Sequence, residues 1–286
     1  MSKQDTLTAD VTVTQRLIAV AAGRDAHSAL VSAAGTPGQS AGEIYSYARL
    51  AAIVQVAAAG LAWRGLQAKD PVGIHVPDAV SFVLAAHAVR AAGGVPCPVA
   101  PGLSVAEMAG QLAESGARML ITAPPLAEAA LGAADRSWVR QVFSFGDAAA
   151  TTPFTDLLGL GIMRAVGSRR HDIALLPFSR GQDGRLRPTP VSHIELTDRL
   201  DRIDVRAGFT DSDVVLAGPP AGDGLAYATL LDSALLCGAT VIAVDARQLA
   251  GPAAADRSAL QRATAAIVPD GVRVRLPAPV RVFAVS

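Results

Sequence analysis

The residues best placed to do chemistry lie in one stretch, 178–193, FSRGQDGRLRPTPVSH. An apolar run, 173–178, leads into a turn marked by Gly181 and Gly184, with Arg180, Arg185 and Arg187 around it. A glycine-rich turn after a strand holds a polyphosphate by directing backbone N–H groups inward and adding small hydroxyls and a cation. Ser179 is such a hydroxyl, but Gln182 and Asp183 stand between the glycines. A carboxylate there opposes the anion that the turn would hold. Two readings stand: a weak anion or nucleotide site made by the backbone of residues 181–184, or an ordinary surface turn. Asp183 argues for the second.

Other polar residues read as structural. His193, directly after Ser192, reads as part of a helix cap. Asp223, between Gly222 and Gly224, reads as a turn residue. His27, His75, His87 and His171 have no Cys, Asp or Glu at ligand spacing, so no metal site is assigned. His75 falls in an expected strand and His87 on an apolar helix, which suits core or interface histidines. Asp198, Asp201 and Asp204 alternate with Arg199, Arg202 and Arg206 as on a solvated helix face. No G-x-S-x-G elbow offers a nucleophile, and no G-x-G-x-x-G supports a dinucleotide site.

The elements that must position these residues alternate. Apolar spacing predicts helices over 47–62 and 79–92, each ended by glycine, and strands over 72–76 and 95–99. Ser104 and Glu107 form a capping box for a helix through Ser115, followed by a strand at 119–122, a helix near 125–133 and a strand at 139–145. Residues 159–170 read as a linker. Beyond the loop come a helix at 194–207, a strand at 213–217, a helix at 227–236, a strand at 240–244 and a helical turn near 260–264. This alternation predicts a doubly wound α/β fold with mostly parallel sheets. The expected division is a flexible tail, 1–10, a first subdomain, 11–165, and a second, incomplete one, 166–286.

With 286 residues, 51% hydrophobic and 17% charged, the chain can bury a real core. Formal net charge is zero and basic residues are scattered, so no field favours nucleic acid or an anionic membrane surface. Small molecules or proteins are the expected partners. Cys97 and Cys237, the two cysteines, read as reduced thiols in the cytoplasm. The N-terminus lacks an apolar h-region, and Gln55 interrupts the apolar stretch 50–62, so neither export nor membrane insertion is expected.

Three stretches, YSYARL (45–50), GLQAKDPVGIHVPDAVSFVLAAHAVRAAGGVPCPVAP (65–101) and LSVAEMAGQLAESGARMLIT (103–122), resemble the opening of the adenylate-forming enzymes, the acyl-CoA synthetase and aryl-CoA ligase (AMP-binding) superfamily. ALLPFSRGQDGRLRPTPVSHIEL is similar, without a gap, to that family's phosphate loop. The resemblance places Ser179, Gly181, Gly184 and His193 at matching positions and Arg187 where the family has lysine. Arg180, Gln182, Asp183 and Pro188 depart from the pattern. In GPPAGDGLAYATLLDSALLCGATVI, Pro220 fits, while Gly222 falls where the active-site aromatic belongs and Asp223 where the gating histidine does. Losing the aromatic removes a pocket wall.

The family also relies on an adenine- and ribose-binding second half and a lid carrying a catalytic lysine. No lysine follows Lys69, and the chain ends at Ser286, about where the family's next strand begins. The resemblance therefore implies the N-terminal subdomains without the lid, and no catalytic residue is assigned. It implies a non-catalytic pseudoenzyme that acts as a protein-interaction, regulatory or small-ligand-binding module, with a protein partner or a dimer of itself. An acyl compound or a nucleotide, ATP or AMP, is the small ligand it suggests. The alternative is an ATP-dependent carboxylic acid CoA ligase completed by another polypeptide.

Overall fold

The computed structural model describes residues 11–32, 42–159, 161–162, 164–220, 222–245, 262–272 and 280–285. The expected tail, 1–10, and the first two residues of the turn near 260–264 lie outside these. At the start, α1 (Val13–Ala22) carries a capping box in which Thr12 and Gln15 satisfy each other's backbone N–H. Two short strands follow, β1 (Ser28–Ser32) and β2 (Ile44–Ser46). Ser46 then caps α2 (Tyr47–Trp63), which buries Tyr47, Leu50, Val54, Ala57 and Leu61 at helical spacing.

The first sheet follows the expected alternation: β3 (Pro71–Ile74), α3 (Ala79–Ala91), β4 (Val95–Pro98), α4 (Val105–Ser115), β5 (Met119–Thr122), α5 (Ala127–Ala134), β6 (Gln141–Ser144) and β7 (Thr152–Pro153). Its order is β4-β3-β5-β6-β7, with every neighbouring pair parallel. The edge position of β4 is what accommodates Pro96 and Pro98, which cannot donate to a ladder. The chain runs outward from β3 to β4 and returns to β5, and a crevice opens beyond the strand C-termini at such a reversal.

Residues 173–178, expected as one strand, form two. Proline at 177 has no N–H to give, so β8 (Ile173–Leu175) ends before it and pairs with β11 (Val191–Ser192), while β9 (Phe178–Arg180) pairs with β10 (Leu186–Pro188). The remaining elements are α6 (His193–Ala207), β12 (Val214–Ala217), α7 (Gly224–Leu236), β13 (Thr240–Ala243), β14 (Ala265–Pro269) and β15 (Arg281–Val285). The second sheet runs β15-β14-β12-β13-β1-β2, parallel except for β1 with β2. The strands β1 and β2, inside the stretch 11–165, therefore complete the sheet that otherwise comes from 166–286.

The two sheets share one apolar core through α2, α3 and α7. Tyr47 spans it, donating its hydroxyl hydrogen between Leu235 O at 2.9 Å and Ala239 O at 2.8 Å. Among the described residues no helix is long and apolar enough to cross a membrane.

Candidate functional site

The hairpin β9–β10 carries the glycine-rich turn. Part of its backbone is tied within the turn: Gly181 N–H donates to Arg185 O at 2.8 Å and Gly184 N–H to Gly181 O at 2.9 Å. Arg185 N–H donates to Asp183 Oδ1 at 3.1 Å, and Arg187 donates to Asp183 Oδ2 at 2.7 Å. Arg187, which the resemblance sets where the family has lysine, is thus paired with Asp183. Arg180 donates to Gly184 O at 2.6 Å and to Glu107 on α4 at 2.9 Å. The Ser104 hydroxyl and then Arg180 hold the Glu107 carboxyl down to about 2. A polyphosphate needs inward N–H groups and unpaired cations. These residues do not fit one: the N–H groups of Gly181, Gly184 and Arg185 and the Arg187 guanidinium bind within the hairpin, and Asp183 sets a carboxylate beside them.

Beside the hairpin lies a cleft of about 630 Å³ between the two sheets. Ile74 at the end of β3, Pro98 at the end of β4, and Val99 and Leu103 beyond it form one wall, so the cleft sits at the strand reversal. Phe178, Leu186 and Ser179 of the hairpin form a second wall, and Gly222, Asp223, Leu225 and Tyr227 a third. Phe82 and Tyr227 meet edge to face with centroids 5.3 Å apart and fix the floor. Such a concave, mostly apolar surface with a few polar groups suits a small organic ligand. A second groove, about 660 Å³, continues from Arg199, Asp223 and Leu225 along Arg202 and Arg206.

The expected site residues separate here. Ser179, Gly222 and Asp223 line the cleft, whereas Gly181, Gly184, Arg187 and His193 are not among its walls. Asp223 is the N-cap of α7, accepting from Leu225 N–H at 2.8 Å. It is thus a helix cap rather than a simple turn residue. The cap of α6 is Ser192 with Glu195, and His193 is the first helical residue, buried behind it. Burial, with the Arg90 guanidinium, holds the His193 imidazole down to about 4. Asp204, expected on a solvated face, accepts from Ser233 Oγ of α7.

A buried polar cluster had only a faint trace in the sequence. His87 and Arg90 on α3 approach Asp232 on α7 at 3.1 and 2.9 Å, and Thr14 on α1 meets His87 Nδ1 at 2.9 Å. All are nearly inaccessible. His87, read as a core or interface histidine on an apolar helix, was one signal, and Asp232 in the apolar run of α7 is another. Burial pushes the Cys97 thiol up to about 12, so it is no nucleophile at neutral pH. Among the described residues no group of His, Cys, Asp or Glu is arranged to hold a metal ion.

Comparison with known proteins agrees with this geometry. The family described as AMP-binding enzyme matches residues 19–274. Feruloyl-CoA synthase from Amycolatopsis sp is 28% identical over 201 residues, covering 70% of this chain and 39% of that protein. The 4-coumarate–CoA ligase 5 of Oryza sativa subsp. japonica is 28% identical over 204 residues, 69% of this chain and 36% of the relative. A long-chain-fatty-acid-CoA ligase structure from Archaeoglobus fulgidus superposes with a TM-score of 0.78 at 18% identity, over 91% of this chain and 52% of that one. MbtA of Mycobacterium smegmatis gives a TM-score of 0.76 at 24% identity, over 91% of this chain and 48% of the other. The chain thus spans well under two thirds of the relatives it matches.

Proposed function

The chain belongs to the AMP-binding enzyme family, and on that premise we propose that it is a non-catalytic member, holding a small acyl or aryl ligand in the cleft without adenylating it. The observation that carries this reading is the closed hairpin: Asp183 neutralises Arg187 and takes the Arg185 N–H. The cleft beside it supports ligand binding, since its walls are mainly apolar and its aromatic floor is fixed. Two free thiols support a cytoplasmic setting. The test is ATP–pyrophosphate exchange over a panel of aliphatic and aromatic carboxylic acids, with melting curves in ATP, AMP and each acid. The expected result is no exchange, no shift with either nucleotide, and a rise in melting temperature with one class of acid. Exchange above background by the chain alone would overturn the reading.

A second reading is an ATP-dependent CoA ligase whose remaining groups come from another polypeptide. The cleft favours it, lying beside the hairpin as an acid awaiting activation would need. Under this reading exchange appears when the second polypeptide is added.

A further inference from the structure

Both tryptophans of the chain are on its surface, Trp63 at 69% exposure and Trp138 at 59%. A side chain of this size is seldom left so open, while the core here is filled by phenylalanine, tyrosine and aliphatic residues. The two lie at one end of the first sheet. Trp63 ends α2, and the next residue, Arg64, accepts at its carbonyl from Gln141 Nε2 at 3.0 Å. Gln141 opens β6 three residues after Trp138, and the N–H groups of Arg140 and Gln141 reach Arg118 O at 2.8 and 3.3 Å. Those bonds gather Arg64, Arg118 and Arg140 at the N-terminal ends of β5 and β6, with Arg136 one turn away on the same connection. Among the described residues no carboxylate pairs with any of these four arginines. The cleft opens at the opposite, C-terminal ends of the strands.

We propose that this end of the sheet is a docking surface for a protein partner whose own face sets carboxylates around an apolar pocket. Tryptophan and arginine are the residue types that concentrate binding energy at protein interfaces. The charge pattern separates this occupant from a lipid surface. Asp135 adjoins Arg136, and Asp156 precedes Leu157, whose backbone packs on Gly60 one turn before Trp63. A partner's residues can match acids interspersed among arginines. A uniformly anionic headgroup layer cannot. A second copy of the chain would bring this excess of arginine over acid against the same excess, which disfavours a symmetric pair.

Because no other tryptophan is present, intrinsic emission reports on this patch alone. The full chain is titrated with a short peptide alternating glutamate and leucine, with its lysine counterpart, and with phosphatidylcholine vesicles containing phosphatidylserine. Sedimentation of the chain alone is measured alongside. The expected result is a blue shift with the glutamate peptide only, weakened by salt, and about a tenfold loss of affinity in Arg118→Glu with Arg140→Glu. Peptide labelled with fluorescein gives the same affinity by anisotropy and allows Trp63→Ala and Trp138→Ala to be read as well. A shift with vesicles in place of peptide, an equal response to the lysine peptide, self-association that Trp138→Ala abolishes, or no response at all would overturn the proposal. The cleft and hairpin are untouched by these variants, so failure here leaves the reading of the ligand site standing.

Discussion

Replacing Asp183 by Asn removes one charge and keeps an oxygen that can still accept from the Arg185 N–H, so the hairpin should persist. Asp183 and Arg187 are 43% and 64% exposed, and an exposed pair contributes at most about 1 kcal/mol to stability. The effect on an anion is larger. A phosphate charge seated over the turn lies about 6 Å from the lost carboxylate, a repulsion of roughly 0.7 kcal/mol in water and about 3 kcal/mol at an effective dielectric near 20. Its removal also frees the Arg187 guanidinium. Asp183→Asn should therefore bind pyrophosphate or ATP roughly threefold to a hundredfold more tightly than the natural chain for each phosphate charge in contact. Calorimetric titration at low ionic strength reads the gain, and a urea curve checks that the fold is intact. A variant that folds normally and gains nothing would refute the argument that this carboxylate closes the site. So would a natural chain that already binds ATP at micromolar concentration.

Three further outcomes follow from the packing. Asp232→Ala leaves Arg90 buried without its carboxylate and should cost about 3–5 kcal/mol, read as a lower urea midpoint. The His193 imidazole is held to about 4 in the folded chain against 6.5 ordinarily, so the unfolded chain takes up the proton first. Its contribution is complete above about pH 6.5 and is lost as the pH falls towards 4. His193→Gln should flatten that part of the stability profile, and an unchanged profile would contradict the assignment. Gly60→Ala would place a Cβ 2.3 Å from Leu157 O, and relieving that clash should cost about 1–3 kcal/mol in thermal or urea unfolding.

The parts of the fold that rest on local pattern were legible. The helical spacing of Leu50, Val54, Ala57 and Leu61, the Ser104–Glu107 capping box and the glycine stops all describe interactions within a few residues. Elements defined by distant partners were not. A three-residue strand such as β2 has no period to detect, and β1 makes sense only against β13. The break at Pro177 follows from a missing donor, yet an apolar run hides it. At the site, the sequence located the departures at Gln182 and Asp183 but not their outcome, since the pairing of Asp183 with Arg187 depends on the path of the turn. The cleft is assembled from three distant segments and had no signature beyond Ser179, Gly222 and Asp223.

The pairing of β1 with β13 bears on how the chain is made. Residues 71–153 contain every strand of the first sheet, so that sheet can form as soon as they leave the ribosome. The Thr240 hydroxyl donates to the Ser28 carbonyl across 212 residues of sequence. At roughly 5–20 residues per second, β1 waits on the order of ten seconds or more for its neighbour. During that interval an apolar edge is open to any passing strand. The β1 edge is thus exposed to mispairing and to chaperone capture during synthesis, and a shortened transcript ending before β13 would leave it so permanently.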